Sequence, residues 1–261
     1  MKKLKIHKLV IWALSAVIII QGIVIFKLLA GKKIKQTKPI EKAAPMIAIV
    51  IDDWGYNLNN LNILARMNYP ITCAILPNLN YSINLIRDIH KFGKETILHL
   101  PLEPHEKFRL EKNTILTTMD ENQIIAILGA NLDNIPELKG VSNHMGSLAT
   151  EDPRIMGIVL RELKKRGLYF LDSLVSAHSI SKKIAVETGI AFAKRDIFLD
   201  NLNEAPYIKQ QFHKLKQKAS LYGNAIGIGH DRRITLSTLA ELIPEAQKEG
   251  FEFVFVSDLA K

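Results

Sequence analysis

Two adjacent aspartates, Asp52 and Asp53, end an uninterrupted apolar run in the stretch IAIVIDDWGYN, residues 47–57. Five apolar, mostly β-branched residues read as a strand buried on both faces, and the carboxylates come where such a strand leaves the core. Neighbours on an extended chain point to opposite sides, so the pair can hold two partners inside one small site, one carboxylate binding a metal and the other taking a proton. The same residues also suit a solvated turn, with Gly55 making the bend and Asp53 capping the next helix. Other apolar runs end in residues of matching chemistry: His99 in LHLPLEP, Asn143 and His144 in NHMGS, Asp172 and Ser173 in FLDS, Arg195 and Asp196 in KRDIF, and His230 in GIGHDRR. Three of the eight histidines therefore fall at strand ends. Each alone fits a plain role: a half-buried ring at His99, a loop contact at His144, a surface charge cluster of His230 with Asp231 and Arg232. Taken jointly, a strand-end aspartate and two strand-end histidines form a metal-ligand set that leaves a position for water. His7, His90, His105, His178 and His213 receive no chemistry; of these, His178 lies nearest to a strand end.

The elements that must position these residues are legible in the pattern around them. Eight short apolar runs, residues 47–51, 71–76, 96–100, 140–142, 168–171, 190–193, 225–228 and 252–256, alternate with stretches of helical period. Ile155, Met156, Val159, Leu160 and Leu163 are one such stripe, and Leu236, Leu239, Ala240 and Ile243 are another. Thr118 with Glu121 reads as a capping box, Asp152 before Pro153 as an N-cap, and Gly167, Gly189, Gly223 and Gly250 as helix stops. Strand–helix alternation gives parallel strands joined by crossovers, in either a (β/α) barrel or an open doubly wound sheet. In both, the active site lies at the carboxyl ends of the strands, where the polar residues fall. No dinucleotide GxGxxG, Walker A loop or GxSxG elbow occurs.

Ahead of this domain, residues 9–26 form an apolar run broken only by Ser15, Gln21 and Gly22, about the length a membrane-spanning helix needs. The organisation expected is an uncleaved signal anchor over residues 1–30, a basic linker over 31–45 and one α/β domain over 46–261. Lysines flank both ends of the run, so the charge rule leaves its orientation open. An N-terminal anchor before one large domain suits a protein of the cytoplasmic membrane with its domain on the outer face. The net charge of +9 resides entirely in residues 1–45, which carry ten lysines and one glutamate; residues 46–261 balance. That distribution points to anionic lipid head groups and away from nucleic acid. The single cysteine, Cys73, lies in an apolar run, so no intramolecular disulfide can form.

The ordered motifs IDDWG, LHLPLEP, GVSNHMGS, FLDS, RDIFLD and GIGH resemble the divergent polysaccharide deacetylase family, a branch of the NodB-type carbohydrate esterases, over essentially all of residues 46–261. The resemblance implies a distorted (β/α) barrel of seven to eight parallel strands. It implies Asp52 as catalytic base, Asp53 and His99 as metal ligands and His230 as acid. It also implies a divalent metal, zinc, and an N-acetylated glycan such as peptidoglycan as substrate. The family's second histidine, four residues after the first, is replaced by Glu103, so His144 completes the set and Glu103 is a further candidate ligand. Asp231 and Arg233 stand where this branch usually has proline. By position, Asp172, Arg195 and Asp196 would orient the site, and Trp54 or Tyr56 would stack on a sugar face. The altered ligand set also fits a glycan-binding or scaffolding module that keeps the barrel without turnover.

Overall fold

The computed structural model describes residues 2–30 and 43–261. Met1–Lys42 and Ala43–Lys261 form two separate compact units. The first contains one helix, α1 (Lys2–Ala30). Its described apolar side chains are exposed, among them Trp12, Ile18, Ile20 and Phe26. Among the described residues no stretch is long and apolar enough to cross a membrane. The continuous described side chains, 12–28, rise about 26 Å against a hydrocarbon core of about 30 Å. The expected span begins at residues 9–11, whose side chains lie outside the described residues, as does most of the expected linker.

The second unit is built on nine strands: β1 (Met46–Trp54), β2 (Thr72–Ile75), β3 (Glu95–Leu102), β4 (Gly140–Met145), β5 (Tyr169–Asp172), β6 (Phe192–Lys194), β7 (Ile197–Phe198), β8 (Asn224–His230) and β9 (Glu252–Val254). Their order is β6-β5-β4-β3-β2-β1-β8-β7, with β9 also beside β1, and the pairings are parallel. Around the sheet lie α2 (Leu61–Arg66), α3 (Ser82–Lys91), α4 (Glu121–Asp133), α5 (Pro153–Lys165), α6 (Ser181–Thr188), α7 (Ala205–Tyr222) and α8 (Arg233–Lys248), and a short α9 (Val256–Leu259) follows β9.

The sheet is a curled half-barrel rather than a closed ring of eight strands. β6 and β7 stand at opposite ends of the hydrogen-bonded order yet only Arg195 and Asp196 separate them. Arg195 N–H donates to Asp172 O of β5 and Asp196 N–H to Ile226 O of β8, each at 2.9 Å, so this dipeptide joins the two edges. At two residues, β7 is too short to leave a periodic signal in the sequence.

Both sheet faces are buried, which is why the strands read as continuous apolar runs. Ile47, Ile49, Ile51, Cys73, Ile75, Leu98, Leu100 and Phe170 belong to one core with the helix stripes, including Ile155, Val159, Leu163, Leu236, Leu239 and Ile243. Ala48, Val50, Ala74, Ile97, Leu171, Ala193, Ile226 and Ile228 line the concave face with Val256, and Leu259 and Ala260 of the C-terminal segment pack against them. The period of two then carries the concave face onward to Asp52, His99 and His230. Pairing of β3 with β4 sets Ser142 beside His99 and His144 beside Pro101. The lining thus changes from apolar to polar near the strands' carboxyl ends.

Asp152 caps α5 as expected, accepting from the Arg154 and Ile155 amides, with Pro153 at the first helical position. The box expected between Thr118 and Glu121 forms instead between Asp120 and Gln123, whose side chains each accept the other's backbone N–H at 2.9 Å. Gly140 of β4 lies opposite Tyr169, and a Cβ there would come within 2.6 Å of the ring, which a 2.8 Å bond from Tyr169 Oη to Glu95 holds in place. Gly140→Ala should cost about 1–3 kcal/mol in urea unfolding, as overpacking does, and a second change, Tyr169→Leu, should recover part of it.

Candidate metal and catalytic site

The site begins with an irregularity in β1. Ile51 pairs with Cys73 and Trp54 with Ile75, so three steps along β1 answer two along β2. Asp53 accommodates the extra residue at φ 66, in the left-handed region that aspartate enters more readily than most residues. This breaks the alternation that would have sent the two carboxylates to opposite faces, and both approach one histidine. His99 Nε2 lies 3.6 Å from Asp52 Oδ2 and 3.3 Å from Asp53 Oδ1. His144 Nδ1 reaches the same Asp53 oxygen at 3.2 Å, and the two imidazoles meet edge-on. Asp53 does not cap α2, whose N-cap is Asn60.

One ligand atom each from Asp53, His99 and His144 lie within 4.8 Å of one another, the one such group among the described residues. The surroundings fit a cation. His99 Nδ1 is 2.8 Å from Ser142 Oγ. When Nδ1–H donates to that hydroxyl, Nε2 turns its lone pair toward a carboxylate oxygen, an arrangement that needs positive charge between the two. Asp52 Oδ1 is buried without a hydrogen-bond partner, and an orphaned carboxylate oxygen is costly unless a charge or donor meets it. Two imidazole nitrogens and one carboxylate oxygen match a zinc-type site with an open position.

The adjacent aspartates differ electrostatically. Burial pushes the Asp52 carboxyl above its ordinary range, against the opposing pull of His99. Burial pushes Asp53 upward too, but hydrogen bonds from His144 and His99 outweigh it and hold the group well below the usual carboxylate range. Environments that separate two neighbouring carboxyls in this way suit them to different roles.

His230 faces Asp52 in the β1–β8 register. Its orientation comes from Asp200, a fully buried residue that sequence reasoning did not assign. Asp200 Oδ1 is 2.8 Å from His230 Nδ1, while Oδ2 accepts the His230 amide at 2.8 Å and Thr235 Oγ1 at 2.7 Å. Burial lowers the affinity of His230 for a proton, and the hydrogen bond and charge of Asp200 more than reverse this, leaving its pKa raised. Phe198 stacks on His230 with ring centroids 6.1 Å apart, and the Arg195 guanidinium lies 3.7 Å over Phe198. The only signal for Asp200 was its place in RDIFLD; nothing in the spacing joins residue 200 to residue 230.

Other expected site residues lie elsewhere. Trp54 is 0% exposed within the core and cannot meet a sugar. Tyr56 is 48% exposed at the mouth, its hydroxyl donating to Glu111 at 2.5 Å. Glu103 is outside the ligand group: Oε2 accepts from both Thr117 N–H and Oγ1. Asp172 falls on the opposite parity from Leu171 and holds its own loop, accepting from Leu174 N–H and Ser179 Oγ. Asp196 accepts from Ile226 N–H, well before the carboxyl end of β8, and so ties a sheet edge rather than orienting the site. Arg195 donates to the Ser173 and Leu174 carbonyls, and its link to His230 runs through Phe198. Asp231, pushed up to about 6 by burial, accepts from Asn60 Nδ2. Exposed His178 lies outside the ligand group.

Residues 49–260 match the family described as divergent polysaccharide deacetylase. Uncharacterized protein YibQ of Escherichia coli K12 is 34% identical over 200 residues, 77% of this chain and 63% of that protein, so the chain spans less than two-thirds of YibQ. The crystal structure of uncharacterized protein ATU2773 from Agrobacterium tumefaciens C58 superposes with a TM-score of 0.80 at 26% identity, covering 84% of this chain and 90% of that one. The Bc1960 peptidoglycan N-acetylglucosamine deacetylase shares the fold at a TM-score of 0.50 and 12% identity, over 83% of this chain and 88% of that one.

Asp200→Asn should lower the His230 pKa in an NMR titration of the imidazole. Because the folded protein binds that proton more tightly than an unfolded histidine near 6.5, the pair stabilises the fold below that pH. The contribution is lost as the pH rises through the raised folded value. In urea unfolding, the wild-type advantage over Asp200→Asn should reach about 1.5–3 kcal/mol near pH 6 and narrow toward pH 8.5.

Proposed function

We propose that this chain, which belongs to the divergent polysaccharide deacetylase family, is a membrane-anchored, metal-dependent hydrolase that removes N-acetyl groups from an envelope glycan, with peptidoglycan the leading candidate. The observation that carries the reading is the convergence of Asp53, His99 and His144 in one ligand group, with Asp52 against His99 and His230 beside Asp52 in the β1–β8 register. A bound divalent ion, zinc by the donor set, would polarise the acetamide carbonyl and ease deprotonation of water. Asp53, His99 and His144 would hold it, with Ser142 fixing the His99 tautomer. Asp52 takes the proton of the attacking water, its burial bringing it closer to the range in which a general base works well. His230, whose protonated form Asp200 favours, gives a proton to the departing amine nitrogen, so amide and water become acetate and amine.

The apolar run within α1 and its flanking lysines support the anchor, and one N-terminal anchor ahead of one large domain suits a site on the outer face of the cytoplasmic membrane, where an envelope glycan lies. A second reading, a glycan-binding module without turnover, is favoured by the altered ligand set: Glu103 stands where the family's second histidine would and is engaged by Thr117 instead of joining the group.

The purified chain should carry close to one divalent ion per molecule by elemental analysis, and Asp53→Ala and His144→Ala should each lose it. Asp52→Asn should keep the metal while acetate release from N-acetylated glycan falls by about 10²–10⁴-fold. Wild-type protein that binds metal and glycan but releases no acetate would establish the second reading instead.

A further inference from the structure

The connection between β3 and α4, residues 103–120, is the longest on the face where the site opens, and loops of that length in compact domains are usually functional. Its base is fastened by Ile115 N–H donating to Pro101 O and Glu103 N–H to Ile115 O, both at 3.0 Å. Two tethers fix the outer part. On one side, the His105 amide donates to Ser147 Oγ at 2.9 Å, and that hydroxyl donates to Glu106 at 3.3 Å. On the other, Tyr56 Oη donates to Glu111. Ser147 is three residues past His144 and Tyr56 three past Asp53. The arm therefore runs from the loop after β4 to the loop after β1, along the mouth beside the metal-ligand group.

Between the tethers Lys107, Phe108, Arg109 and Leu110 are all exposed, Phe108 at 59% and Leu110 at 38%. The arm's carboxylates are engaged by hydroxyls, Glu106 with Ser147 and Glu111 with Tyr56, whereas Lys107 and Arg109 have no ion-pair partner among the described residues. An aromatic face between two uncommitted cations suits a pyranose ring that carries, or neighbours, carboxylate groups: the ring packs on Phe108 and the anions meet Lys107 and Arg109. We propose that residues 105–111 form a subsite for an anionic, carboxylate-bearing stretch of N-acetylated glycan, beyond the sugar that reacts. This rests on the reading of the central site as a glycan deacetylase.

The test is equilibrium binding by the full chain in detergent, with Asp52→Asn present to prevent turnover. The two probes are a neutral oligomer of N-acetylglucosamine and soluble peptidoglycan fragments that carry carboxylates. Lys107→Ala with Arg109→Ala should weaken the carboxylated probe about tenfold, flatten its salt dependence and leave the neutral probe within twofold. Phe108→Ala should weaken both about tenfold. Unchanged affinity in all arm variants, equal losses on both probes from the lysine–arginine pair, or no binding of either probe by the parent chain would each overturn the subsite. Acetate release by the chain with native Asp52 is measured separately, so binding that follows the arm without hydrolysis would remove the deacetylase reading and leave the subsite standing.

Discussion

At Asp53 the central strand leaves the β region for φ 66, a departure that costs about 1–3 kcal/mol in a residue with a side chain. A regular strand would have sent Asp53 to the helix-packed face, opposite Asp52. The added residue in β1 brings both carboxylates to His99 and lets His144, on β4 three strands away, share an oxygen with it. What holds the turn is its surroundings: Trp54, next in the chain, is locked in the core, and β2 and β8 flank the strand on either side. The ligand group, the separation of the two aspartate pKa values and the approach to Asp52 all follow from that one backbone conformation.

The rest of the unit supports this arrangement. The concave face is filled with small and branched apolar side chains, and the segment after β9 packs against them. Polar groups collect near the carboxyl ends of the strands, where low dielectric makes each interaction strong and each unpartnered atom costly. Asp52 Oδ1 and His144 Nε2 are two such atoms, buried in a protein whose other buried side-chain polar groups, Trp54 Nε1 apart, find partners among the described residues.

The acid side depends on the way the sheet ends meet. Arg195 and Asp196 bond to β5 and β8 through their backbones, and this brings β7 alongside β8. Phe198 and Asp200, on and just after β7, are thereby placed against His230. Had the sheet remained open and flat, the carboxylate at 200 and the imidazole at 230 would have had no reason to meet.

Residue order alone determined the βα alternation, the all-apolar strands, the Asp152 cap and the gathering of Asp52, Asp53, His99, His144 and His230 at strand ends. These follow from periodicity and local propensity, which act within a few residues. It also placed the lysine excess in the first 45 residues and away from the folded unit. Tertiary structure alone decided the rest. Trp54 turned inward because the bulge changed the parity of everything after it. Asp172 faced its own loop because it alternates with inward-facing Leu171, and Glu103 went to Thr117 because the loop folds back on itself. Asp200 reached His230 because a two-residue strand, too short to show any period, docked against β8. Those outcomes depend on pairing register and sheet curvature, which arise only when distant segments pack together.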